Sequence, residues 1–219
     1  MKNRIILLFT LIGLTLMTTG CVSSYVKPIE PEAKPIAIEE GKALIVFYWD
    51  AHVPVGQGVF LLEDKKPVAF IGTKTKTFYQ VTPGKHTYAV AADNFLMFGG
   101  FDFKFFDADV KAGEVYYIGA TGEMPAGLSG WQILAKNPTM EDADKDGIAQ
   151  DILPYLLRWK PYVMSEAATE YFESEKDDIL PRYDEQYAEW KELDASERIK
   201  LRPSGLNQSP VKLHNGKYM

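Results

Sequence analysis

The feature that most constrains this chain is a succession of seven short apolar and aromatic runs between residues 43 and 120, with turn chemistry in the gaps. They read ALIVFYWD (43–50), GVFLLED (58–64), PVAFIG (67–72), KTFYQV (76–81), KHTYAVAAD (85–93), FDFKFFDADV (101–110) and EVYYIGA (114–120). Each is rich in β-branched and aromatic side chains, and none carries a sustained helical period. Between them stand Asp64-Lys65-Lys66-Pro67, Pro83-Gly84, Gly99-Gly100 and Ala112-Gly113, residues that supply preset or left-handed backbone angles. Strands this short must bury their apolar faces against one another. The expected fold class is mainly β: an antiparallel β-sandwich of about seven strands, followed by a helical C-terminal region.

The same order of residues, LIVFYW, then GVFLLEDKKPVAFIGTKTKTFYQVTPGKHTYAVAA, then VKAGEVYYIGA, resembles the PEGA-like β-sandwich domain of bacterial lipoproteins of unknown function. The likeness covers roughly residues 41–120, about a third of the chain. Its motifs are structural, the PGKHT turn and the closing AGEVYYI strand among them. It therefore implies a fold and a cell-envelope setting but no reaction.

The N-terminus points to the same compartment. Lys2 and Arg4 precede an apolar run from Ile5 to Met17, and the small residues Thr19 and Gly20 stand just before Cys21, the sole cysteine. That is the layout of a secretory signal, and the apolar run is too short to span a bilayer as a helix. It resembles a bacterial lipoprotein signal, with Thr18 where Leu is the common residue. Cleavage before Cys21 would put the thiol on the first residue of the mature chain, ready for a diacylglyceryl group. Several acyl chains, as that resemblance implies, would hold the protein to a membrane essentially permanently. Val22 follows the cysteine in place of the Asp that retains enteric lipoproteins in the inner membrane. The expected location is the periplasmic face of the outer membrane, if the host has two membranes. The alternative for Cys21, a buried thiol or half of a disulfide, lacks both a core around it and a second cysteine.

The expected organisation is a signal peptide at 1–20, a flexible tether at 21–40, a β-sandwich at 41–136, an acidic loop with a helical region at 137–202, and a tail at 203–219. Pro28, Pro31 and Pro35 favour an extended tether. Two helices are expected, over 165–180 and 181–200, because Pro181 suits a helix start and ends a preceding one. Aromatic stripes mark their faces: Tyr171 and Phe172 on the first, and Tyr183, Tyr187 and Trp190 on the second. Packing on the sandwich and contact with an envelope protein partner both fit such stripes.

Candidate sites are few. The formal charge of −6 and the lack of a compact Lys/Arg cluster argue against nucleic acid as a partner. In DADKDG, Asp142, Asp144 and Asp146 alternate before Gly147, the opening of a calcium loop, so Ca2+ is a possible cofactor. Leu153 occupies position twelve, where a bidentate Glu belongs; Gln150 or Asp151 could substitute. The bland alternative is an acidic turn whose Asp caps the next segment. Phe95, Met97, Phe98 and Phe101 flank Gly99-Gly100, and if exposed they would form a binding surface. His52, His86 and His214 lack metal-ligand spacing, with His86 expected on a solvent-facing sheet position. No G-x-S-x-G elbow, phosphate loop or H-E-x-x-H is present, so no catalytic residue is assigned. The expected function is a lipid-anchored, non-enzymatic structural or interaction module held to the membrane by its lipid. The alternative is a glycan-binding or hydrolytic envelope protein with an aromatic loop surface.

Overall fold

A computed structural model describes residues 25–28, 36–50, 58–93, 100–123, 132–136, 159 and 161–204. In chain order these form β1 (Val26–Pro28), β2 (Ala43–Trp49), β3 (Val59–Glu63), β4 (Lys66–Ile71), β5 (Thr75–Val81), β6 (Gly84–Asp93), β7 (Phe101–Val110), β8 (Val115–Glu123), β9 (Gln132–Lys136), β10 (Tyr162–Met164), α1 (Glu166–Glu192) and β11 (Ile199–Leu201). All seven apolar runs are strands, β2 to β8. They belong to two facing sheets, ordered β11-β7-β6-β3-β4 and β5-β2-β8-β9, with β1 and β10 as a separate ribbon.

The protein is mainly β and sandwich-like, with nine strands in its two sheets and one C-terminal helix. It is not the strictly antiparallel seven-strand arrangement expected. β2 runs parallel to β8, and β11 runs parallel to β7. Between β2 and β8 the chain visits the other sheet twice, and between β7 and β11 it passes through β8, β9, β10 and α1. Only hairpin neighbours are forced to be antiparallel, and neither pair is a hairpin.

Alternation along the strands sorts side chains into layers. Ile45, Phe47, Leu61, Tyr88, Val90, Phe106 and Ile118 fill the space between the sheets. The outer face of the five-stranded sheet presents Phe60, Leu62, Phe70, Phe101, Phe103 and Phe105 to α1. The outer face of the other sheet presents Leu44, Val46, Tyr48, Val115 and Tyr117, packed by Ile36, Ile38 and Trp159. β2 is thus covered on both faces, and every one of its residues is buried. Its unbroken apolar run, without a polar alternate, follows from that double burial. Where β2 and β8 pair, Gly119 sits opposite Tyr48; a Cβ there would lie 2.1 Å from the tyrosine ring, so only glycine admits it.

The two expected helices are one. α1 runs through Pro181 for 27 residues, with Ser165 as N-cap accepting from the Ala168 amide. Its buried positions Ala168, Phe172, Ile179, Tyr183 and Trp190 form one stripe that passes the proline without a break. Pro181 and Asp177, whose carbonyl loses its helical donor, are both exposed, so water can take up the freed carbonyl. The aromatic sheet beneath holds both halves of the helix on one axis. α1 crosses the sheet: Phe172 lies 5.4 Å from Phe60 of β3, and Trp190 lies 5.5 Å from Phe105 of β7. Ala89 and Ala91 of β6, lying between those strands, keep the middle of the sheet low under the helix.

Within 21–40, read as a tether, the described residues lie on the body. β1 pairs with β10, and Tyr25 packs on Phe70 at 5.7 Å and Tyr171 at 5.5 Å. Ile36 and Ile38 lie on the four-stranded sheet.

Candidate functional site

Three regions of the described surface could carry chemistry. The first is a polar cluster at one end of the sandwich. Glu63 ends β3, Tyr79 lies on β5 and His86 opens β6, and alternation turns all three inward. Tyr79 donates to Glu63 Oε2 at 2.6 Å, and His86 Nδ1 lies 2.5 Å from Glu63 Oε1. The other ring nitrogen, Nε2, is 2.9 Å from the Thr82 carbonyl. His86 is therefore not the solvent-facing residue expected: its side chain is 14% exposed and stacks on Tyr88. A general base needs a ring nitrogen free to meet a substrate proton. Here both nitrogens are engaged, so the arrangement clamps the two sheets together. Burial, followed by the bond to Glu63, pushes the Tyr79 hydroxyl well above the usual tyrosine range.

His86 also forms part of the wall of a cleft of about 750 Å³, lined besides by Asp64, Lys85, Thr87, Asp107, Asp109, Lys200 and Arg202. Its charges alternate across the strands: Lys85 stands opposite Asp109, and Asp107 opposite Lys200. Opposite charges at cross-strand positions stabilise a solvated sheet face and cancel the field a charged ligand would need. Among the described residues, no group of three or more His, Cys, Asp or Glu could hold a metal ion.

The third region is a groove of about 360 Å³ where the C-terminal end of α1 meets the β7 edge. Phe103, Phe105, Trp190, Leu193 and Ile199 line it, with Gln186, Lys104, Glu189 and Glu197 around them. Leu193 and Ile199 are 41% and 36% exposed, two of the three large apolar side chains so exposed among the described residues. The groove exists because β11 covers only Phe106 to Ala108 of β7. Beyond it, Gln186 does the work of a missing strand, accepting from the Phe103 amide at 3.0 Å and donating to the Phe101 carbonyl at 3.2 Å. Arg198 closes the helix end, with its guanidinium 5.1 Å from the Trp190 ring and bonded to the Lys191 and Leu193 carbonyls. A concave apolar patch with an indole at its floor and a polar rim is the usual shape of a protein contact.

Of the residues singled out in the sequence, Phe101 is 6% exposed beneath α1, where it belongs to the sheet's aromatic face. Phe95, Met97, Phe98, Cys21, Asp142, Asp144 and Asp146 lie outside the described residues. The Glu63–Tyr79–His86 cluster was not anticipated, because its members lie in three separate runs. Gln186 and Leu193 likewise gave no signal, being ordinary surface residues in a helical pattern. Among the described residues no helix is long and apolar enough to cross a membrane. Comparison with family models, curated proteins and solved structures finds no match to this chain.

Proposed function

We propose that this chain is a lipid-anchored cell-envelope protein, held through Cys21, that works without catalysis as a structural or interaction module. It belongs on the periplasmic face of an outer membrane where the host has two. The signal-like residues 1–21 support the anchor, and the resemblance of residues 41–120 to the PEGA-like domain of lipoproteins supports the setting.

The observation that carries the module reading is the groove of Trp190, Leu193 and Ile199. Exposed apolar side chains, Leu193 and Ile199, converge there over a buried indole, whereas the charged cleft neutralises itself and His86 is tied at both nitrogens. Glu189 and Glu197 at its rim favour a partner segment that is apolar with basic flanks.

The test is native-gel migration of mild-detergent membrane extracts. Wild-type protein should run in a complex heavier than the 24.7 kDa chain, and Leu193→Asp should return it to monomer size while leaving it membrane-bound. Wild-type protein migrating as a monomer, or an unshifted Leu193→Asp complex, would count against the groove.

A further inference from the structure

The first described residue, Tyr25, is close in the chain to Cys21, the proposed lipid attachment point. Three residues stand between Cys21 and Tyr25, so the four steps from one to the other reach about 14 Å when fully extended. Tyr25 is held firmly: its carbonyl accepts from the Ser165 amide at 3.0 Å, and its ring rests on Phe70 and Tyr171. The chain then runs into β1, antiparallel to β10, with Val163 at the register position opposite Lys27. Tyr162 and Met164 pack inward on the helix-side cluster. Alternation therefore turns Val163 outward, and it is 42% exposed.

We propose that the outward face of the β1–β10 ribbon, centred on Val163, rests on the lipid surface that holds Cys21. This inference rests on the lipidation proposed above. A short leash leaves the ribbon little choice of neighbour, and an outward apolar side chain suits the level of the headgroup–acyl boundary. Glu166 and Glu170, exposed on the first turns of α1, disfavour an anionic surface, so the surface it fits is zwitterionic. α1 starts beside the ribbon and extends about 40 Å at 1.5 Å per residue. Its far end, with Leu193 and the groove, is therefore a helix length from the ribbon.

Val163 and Leu193 are apolar and almost equally exposed, which makes them a matched pair. The mature chain beginning at Cys21 is coupled through its sole thiol to a maleimide lipid in phosphatidylcholine vesicles, with a benzophenone amino acid at position 163 or 193. Lipid adducts should form several-fold more at 163 than at 193. A Gly/Ser insertion of twenty residues after Val22 should remove that difference. Hydroxyl-radical footprinting of the chain without the probe gives a second reading, in which coupling to vesicles should protect Val163 and leave Leu193 reactive. Equal adduct yields at the two positions, or an unprotected Val163, would overturn the proposal. Because the coupling is chemical, these outcomes are separate from whether the cell lipidates Cys21: native protein with a free thiol would sink the lipidation reading alone.

Discussion

Tyr79 donates its hydroxyl proton to Glu63 at 2.6 Å, and that bond ties β5 of one sheet to β3 of the other. Glu63 also receives His86, so one half-buried carboxylate organises both neighbours. Tyr79→Phe should cost about 1.5–3 kcal/mol, the usual worth of a hydrogen bond to a charged group. Glu63→Gln should cost more, since both partners lose the carboxylate's charge and one of them meets an NH2 that cannot accept. In urea unfolding the double substitution should cost less than the sum of the two singles, which is the mark of a shared contact.

Gly119 is kept small by Tyr48. An added Cβ would meet ring atoms at 2.1 to 2.6 Å in a layer packed on both sides. Gly119→Ala should therefore destabilise by about 1–3 kcal/mol or more, and Tyr48→Leu should restore part of that loss. Thermal denaturation of the single and double variants checks it. Additive losses would mean that the two residues do not compete for the same space.

Lys76 is 1% exposed on β5, and burial lowers its ammonium from 10.5 to about 8. The unfolded chain then binds more protons than the folded one between about pH 8 and 10.5. Stability contributed by this group must rise with pH through that window, by up to about 3 kcal/mol. Buried tyrosines act in the opposite sense above pH 10, since burial raises Tyr48 and Tyr117 and the unfolded chain ionises first. The useful quantity is therefore the difference between wild type and Lys76→Met. Denaturant titrations at pH 7.5 and 9.5 should show wild type gaining on the variant.

Gln186 stands in for a strand along the exposed stretch of the β7 edge. Gln186→Ala frees the Phe103 amide and the Phe101 carbonyl beside an apolar groove, an open edge of the kind that pairs with other chains. The expected loss is about 1–3 kcal/mol, with concentration-dependent self-association measurable by analytical ultracentrifugation. Gln186→Glu keeps one acceptor for the Phe103 amide but removes the donor to Phe101, and should fall between.

Much of the fold was legible because the pattern that forms strands is local. The runs from ALIVFYW to EVYYIGA carry their own period and are bounded by their own turns; Asp64 and Lys65, both at positive φ, make the tight β3–β4 connection that the sequence marked. Strand direction was not legible for β2 and β8 or for β7 and β11, since no hairpin links them. Pro181 misled for a different reason. Local chemistry favours a break there, but the aromatic sheet under Ile179 and Tyr183 rewards continuity, and an exposed proline is the cheapest place to accept the lost bond. His86 looked solvated because nothing near it in the sequence reveals Glu63 or Tyr79 as partners. The groove was half legible: the stripe of Tyr183, Tyr187 and Trp190 showed, while its pairing with the short β11 edge did not.

The central claim is that this module is anchored through Cys21, and the intact mass of the protein purified from native membranes tests it most directly. The account predicts a chain that begins at Cys21 and carries the added mass of a diacylglyceryl group, with Cys21→Ser giving either an unprocessed precursor or a released, unmodified chain. A wild-type mass corresponding to an unmodified chain with a free Cys21 thiol would contradict it.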